Sequence, residues 1–184
     1  MKKYLRDYLY LLAFAGLIVV LDQWAKAIVR AQLELGQTWS PWEWLAPYAR
    51  IVNWENTGAA FGMGQNLSVI FTILAIIVVG MIVYYFPSIP RRDWPFRVAL
   101  CMQLGGAVGN LVDRLTQQGR VTDFISVGKF PVFNVADSCI SVGVVVLLVG
   151  MWIQERQTES TSREDELLSS ETEPSLGVDN IQSE

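Results

Sequence analysis

Four apolar runs of membrane-spanning length, at residues 8–29, 67–86, 96–115 and 132–153, dominate the chain. About 20 apolar residues cross a bilayer as a helix, and within hydrocarbon only a helix or a closed barrel satisfies its own backbone. The runs therefore predict an all-α polytopic membrane protein with four transmembrane helices. Composition agrees: 52% of the 184 residues are hydrophobic and 17% charged, against roughly 25% charged in a soluble domain. The first run follows a basic start, Met1-Lys2-Lys3. It is longer than the core of a cleavable signal peptide, so it reads as a retained first span.

Charge is unevenly placed. The net charge of -4 hides a body of 12 Lys and Arg against nine Asp and Glu, with the other nine acids beyond Ile153. Two domains are expected from this: residues 1–154 as the membrane body, and 155–184 as an acidic, Ser/Thr/Glu-rich disordered tail. Residues 30–66 carry Trp39, Trp42, Trp44 and Trp54 and read as an outer segment in the headgroup belt. Within it, Ile51-Val52-Asn53-Trp54 has strand character and Asn56-Thr57-Gly58 is a turn signal. Four spans place both termini on one side. That side holds Lys2, Lys3, Arg6, Arg91, Arg92, Arg97 and Arg156, and the other Arg30, Arg50, Arg120 and Lys129, which favours cytoplasmic termini.

Polar residues inside such runs need a reason, because a charge in hydrocarbon costs several kcal/mol unless paired or used. With four spans, Asp22 and Lys26, Asn56, Asn110 with Asp113 and Arg114, loop residue Asp123, and Asn134 with Asp137 all fall at the non-cytoplasmic face. Asp22 and Lys26 share a helix face and can pair. Gly105-x-x-x-Gly109 permits close helix packing. Asn134, Asp137, Ser138 and Ser141 form one stripe of the fourth span, a hydrogen-bonding seam at the least. Cys101 and Cys139 sit in apolar runs and read as packed thiols.

Histidine is absent, which removes Ser-His-Asp and Cys-His catalysis and His-ligated zinc. Two facing carboxylates, Asp123 at the mouth and Asp137 just below it, would share a proton and activate a water, the aspartic-protease division of labour. Other readings of the same residues are an ion pathway through buried acids, a Mg²⁺-dependent lipid transferase using three carboxylates, and a Ser-Lys peptidase built on Ser138 with Lys26 or Lys129. The acids' position at one face and the lack of an inverted repeat weigh against the first.

Five blocks then resemble, in order, the bacterial lipoprotein signal peptidases (signal peptidase II), an intramembrane aspartyl protease family. They are Leu21-Asp22-Gln23-Trp24-Ala25-Lys26, Asn56-Thr57-Gly58-Ala59-Ala60-Phe61, Gly105 to Arg114, Val121-Thr122-Asp123-Phe124-Ile125, and Phe133-Asn134-Val135-Ala136-Asp137-Ser138. The resemblance implies Asp123 and Asp137 as the catalytic pair. It implies that Asp22, Lys26, Asn56, Gly106, Asn110, Asp113, Arg114, Asn134 and Ala136 shape the site and hold substrate. It also implies a small non-cytoplasmic β-cradle with an amphipathic segment over 30–66. The substrate implied is a prolipoprotein with a diacylglyceryl-modified cysteine, cut on the amino side of that cysteine. No metal or cofactor is expected, nor a nucleic-acid partner. The remaining expectations are a monomer among membrane lipids in the plasma or inner membrane. Thr122 stands where a small aliphatic residue is common, and the long acidic tail departs from the family's short ends.

Overall fold

A computed structural model describes residues 2–57 and 66–172, with side chains at 4–57 and 67–156. The chain forms two units, 1–147 and 148–184. In order come α1 Lys2–Gln32, β1 Thr38–Trp39, β2 Ala49–Asn56, α2 Asn66–Tyr85, α3 Trp94–Thr116, β3 Val121–Val127 and α4 Val135–Thr172. The expected spans 8–29 and 96–115 lie within α1 and α3, while 67–86 runs one residue past α2 and 132–153 starts three residues before α4.

Local chemistry accounts for the breaks. A 3₁₀ turn over Phe86–Ser88, with Pro87 inside it, ends α2. Pro95 occupies the first turn of α3, where its missing N–H costs nothing. At the other end of α3, Gly119 has φ +86° and its N–H caps the Arg114 carbonyl at 2.8 Å, a left-handed termination suited to glycine.

Three of the four helices are long and apolar enough to cross a membrane, in windows at Tyr4–Gln32, Leu67–Ser88 and Val135–Arg156. Their large side chains face outward: Leu5, Leu9, Leu12 and Leu17 on α1, and Val69, Ile70, Ile73, Leu74, Ile76 and Ile77 on α2, are all exposed. Such continuous apolar surface suits hydrocarbon. Helix α3 differs because it is the inner helix. Its buried residues include Arg97, Asn110 and Asp113, so polarity that would be costly toward lipid is instead enclosed by protein. The apolar core lies between α1, α2 and α3, around Leu11, Ala15, Ile82, Phe86, Cys101 and Leu104.

Glycines set the helix spacing. A Cβ on Gly105 would stand 2.7 Å from Ile18 Cβ, and one on Gly109 would stand 2.9 Å from Asp22 Oδ2, so both press α3 on α1. Gly106 faces α4 instead, where a Cβ would collide with the Ala136 carbonyl and lie 2.6 Å from Ile140 Cγ1. Gly106→Ala should lower stability by about 1–3 kcal/mol, read as a fall in melting temperature in detergent. Gly16→Ala, where a Cβ meets nothing within 4 Å, is the matched control and should be neutral.

The three strands form an antiparallel sheet in the order β1-β2-β3. Trp54 pairs with Asp123 and Asn56 with Val121, beyond a register shift between Ile51 and Trp54. Asp123 is therefore a strand residue and not the loop acid that its flanks predicted. Residues 43–48 are a run of turns, with no regular amphipathic helix there. The latter part of the Asn56–Phe61 block, from Gly58, lies outside the described residues.

In the second unit α4 continues to Thr172, through residues expected to be disordered. Glu, Gln, Arg and Leu are good helix formers even without a covering core. Arg156 lies over the Trp152 ring at 4.3 Å.

Candidate active site

Helix α4 begins where Asn134 caps it. The Asn134 Oδ1 accepts the Asp137 N–H at 2.9 Å, and Asp137 Oδ2 accepts the Asn134 N–H at 3.3 Å, the reciprocal arrangement of a capping box. The Asn134 amide nitrogen is then left to donate to Asp123 Oδ1 at 2.7 Å and to Asn110 Oδ1 at 3.0 Å. Asn110 in turn donates to Asp137 Oδ1 at 2.7 Å, and Asn56, at the end of β2, donates to Asp123 Oδ2 at 2.9 Å. Three asparagines thus hold two aspartates, with Asn134 touching both.

The two acids differ in surroundings. Asp123 is 1% exposed and Asp137 is half-buried. Burial pushes the Asp123 carboxyl up to about 6, helped by the Asp137 charge, against the lowering effects of the Asn56 and Asn134 hydrogen bonds and of Lys26. A carboxylic acid held near neutrality beside a second carboxylate is a pattern of functional sites.

Behind this pair lies an ionic layer. Lys26 Nζ, fully buried, is 2.7 Å from Asp22 Oδ2, 3.2 Å from Asp113 Oδ2 and 3.0 Å from Asn110 Oδ1. Asp22 Oδ1 accepts the Ala136 N–H at 2.9 Å, while Asp113 Oδ2 accepts the Thr122 N–H at 2.9 Å. Gln23 donates to Asp113 Oδ1 and to the Gly109 carbonyl, each at 3.0 Å. One ammonium so links α1, α3, α4 and β3. Among the described residues no buried side-chain nitrogen or oxygen lacks a partner, as a buried polar network requires.

The residues singled out in the sequence converge here, with one exception. The Arg114 guanidinium lies over the Phe71 ring at 5.8 Å, within the field of Asp137, Asp123 and Asp113, and lines a cavity of about 540 Å³ with Thr57, Ser68, Val69, Thr72 and Gly119. The Asp113 charge is met by Lys26 and Arg30, the latter at 3.6 Å. Ser141, placed on the polar stripe of α4, is exposed, while Ser138 Oγ donates to the Asn134 carbonyl at 2.9 Å. Gln23, Arg30 and Thr122 carry structural bonds that the sequence reading did not assign. Arg30 extends the four-residue stride of Asp22 and Lys26, a signal that was available. Its Nη1 donates to Thr122 Oγ1 at 2.9 Å.

Apolar helices, a small sheet and two carboxylates pinned at their junction define a membrane-embedded aspartyl peptidase. A family model described as signal peptidase (SPase) II matches residues 14–153, and the chain belongs to that family. It is similar to the lipoprotein signal peptidase of Shouchella clausii, 37% identical over 150 residues, which are 81% of this chain and 97% of the relative. A second relative, the lipoprotein signal peptidase of Halalkalibacterium halodurans, is 38% identical over 149 residues, covering 79% and 93%. Among solved structures, a bacterial membrane enzyme determined by the in meso method at 1.9 Å superposes with a TM-score of 0.70 at 29% identity, covering 77% of this chain and 92% of the other.

Proposed function

We propose that the chain removes signal peptides from diacylglyceryl-modified prolipoproteins, hydrolysing the peptide bond on the amino side of the lipidated cysteine with Asp123 and Asp137 as the catalytic pair. The observation that carries this is Asn134, whose side-chain amide donates to the Asp123 carboxylate and whose backbone N–H donates to that of Asp137, one acid being buried and the other half-exposed. A water between them loses a proton to Asp137 as its oxygen bonds the scissile carbonyl carbon. Asp123, holding the shared proton, gives it to the carbonyl oxygen. Asp137 then passes its proton to the leaving amine as the C–N bond breaks, and Asp123 recovers its own from the new carboxylic group.

Other readings have less support. The Ser-Lys reading needs a lysine free to act as base, but Lys26 is bonded to Asp22, Asp113 and Asn110 and Ser138 bonds its own helix. A three-carboxylate cation site needs Asp113, whose oxygens are taken by Gln23, Lys26 and the Thr122 N–H. We further propose a monomer of four spans in the plasma or inner membrane, α3 being the fourth, with cytoplasmic termini and the site at the outer face. Residues 1–154 would form the peptidase body. The charge asymmetry of the chain supports that orientation.

Purified protein incubated with lipidated and unlipidated precursors, with and without a chelator, tests the reading. Cleavage confined to the lipidated precursor and indifferent to chelator is the expected result. Cleavage of both precursors alike, or of neither, defeats it. The pH profile follows from Asp123. Since it must carry the proton, kcat/KM should fall about tenfold per unit as pH rises above about 6. A profile flat to pH 9 would show that another group is the acid.

A further inference from the structure

A second charged cluster lies at the other end of α1, about 28 Å from Lys26 at 1.5 Å per residue. Asp7 is 2% exposed. It accepts bonds from Arg91 Nε at 3.0 Å and Arg97 Nη2 at 2.8 Å. Arg97, also buried, donates to the Ile89 carbonyl at 3.0 Å and lies 4.3 Å from the Phe86 ring centre. These bonds fix the Arg91 and Arg97 guanidiniums at the wall of a cavity of about 340 Å³, lined by Arg6, Asp7, Tyr10, Arg91, Trp94 and Arg97. Three guanidiniums face one carboxylate, so the cavity carries an excess of two positive charges.

We propose that this cavity binds the phosphate headgroup of an anionic phospholipid. Room for roughly ten waters suits a glycerophosphate. The wall is basic, and basic pockets between helix ends are where such headgroups dock. The lipid, and not a soluble phosphate, follows from what borders the cavity. Trp94 is exposed in the lining itself, and Tyr4, Leu5 and Leu9 are exposed on the turns of α1 that carry Arg6, Asp7 and Tyr10, giving acyl chains an apolar surface along α1 and an indole at headgroup depth. Asp7 acts as a positioning residue, keeping Arg91 and Arg97 turned to the cavity.

Native mass spectrometry of the full chain in detergent provides the test, with phosphatidylglycerol, phosphatidylcholine of the same acyl chains, and free glycerol phosphate as probes. One retained phosphatidylglycerol is expected, with far less phosphatidylcholine and no displacement by glycerol phosphate. Arg6→Gln/Arg91→Gln should weaken retention about 25-fold, two cationic charges being removed. Arg6→Gln alone, at an exposed side chain outside the Asp7 ion pairs, should weaken it about fivefold with an unchanged melting temperature, which covers failure of the double variant to fold. Equal retention of the two lipids, indifference to both variants, or displacement by glycerol phosphate overturns the proposal.

Discussion

Asparagine at either Asp123 or Asp137 is expected to lower single-turnover cleavage of a diacylglyceryl-modified precursor at least about 10³-fold, the scale of a lost general acid or base. The double variant should be little worse than either single one, because the pair works as a unit. Fold loss is not the cause. Both oxygens of each aspartate accept bonds from N–H donors, so an introduced amide keeps one acceptor and sets its NH₂ against the other donor. That misfit costs on the order of 1–2 kcal/mol, small beside the activity change. Asp113→Asn is the contrast: its oxygens meet Lys26, Gln23 and the Thr122 N–H, so it should depress melting more than turnover. Either catalytic variant retaining above a tenth of wild-type activity at normal melting temperature would remove that residue from the pair.

The convergence of Asp22, Lys26, Asn56, Asn110, Asp113, Asp123, Asn134 and Asp137 was legible because the span count alone puts them at one end of the bundle. Helix periodicity then orients residues on a single helix. It does not say which neighbouring helix a residue meets: nothing local to Arg114 shows that its guanidinium lies over Phe71 of α2. Asp123 was misread as a loop acid because Val121–Val127 is short and has Gly and Lys after it. Only pairing with Ala49–Asn56, some 70 residues earlier in the chain, makes it a strand, and long-range pairing leaves little local signal. Asp7 passed unnoticed among the N-terminal positives. Its partners, Arg91 and Arg97, are also remote, and counting them as free cytoplasmic charges overlooked that they are bonded to a buried acid.

The bridging amide also explains why the pair needs so many supporting residues. Asn134 can donate to Asp123 only while its side-chain Oδ1 is committed to the Asp137 N–H. Asn110 likewise donates to Asp137 because its oxygen is committed to Lys26 and Asn134. The orientation of each amide is thus set by its neighbours, and the chain of commitments ends at the Lys26 ammonium.

Lys26→Met is the substitution expected to damage the fold most. Lys26 is 0% exposed and balances two buried carboxylates, Asp22 and Asp113. Methionine fills similar space but leaves both charges facing each other's field with only Gln23, Arg30 and backbone N–H groups for compensation. Breaking a buried pair in this way costs about 3–5 kcal/mol, a fall in melting temperature of at least about 6 °C at this chain length. Lys26→Arg should not rescue it, since a planar guanidinium cannot take the place of a compact ammonium among three oxygens at 2.7–3.2 Å. Adding Asp22→Asn to Lys26→Met should recover part of the loss, because one uncompensated charge is removed and the amide can still accept the Ala136 N–H. Thermal melting of wild type, Lys26→Met, Asp22→Asn and the double variant completes the cycle. If Lys26→Met melts within a degree or two of wild type, the ammonium does not hold the acids, and the asparagines must be oriented by other means.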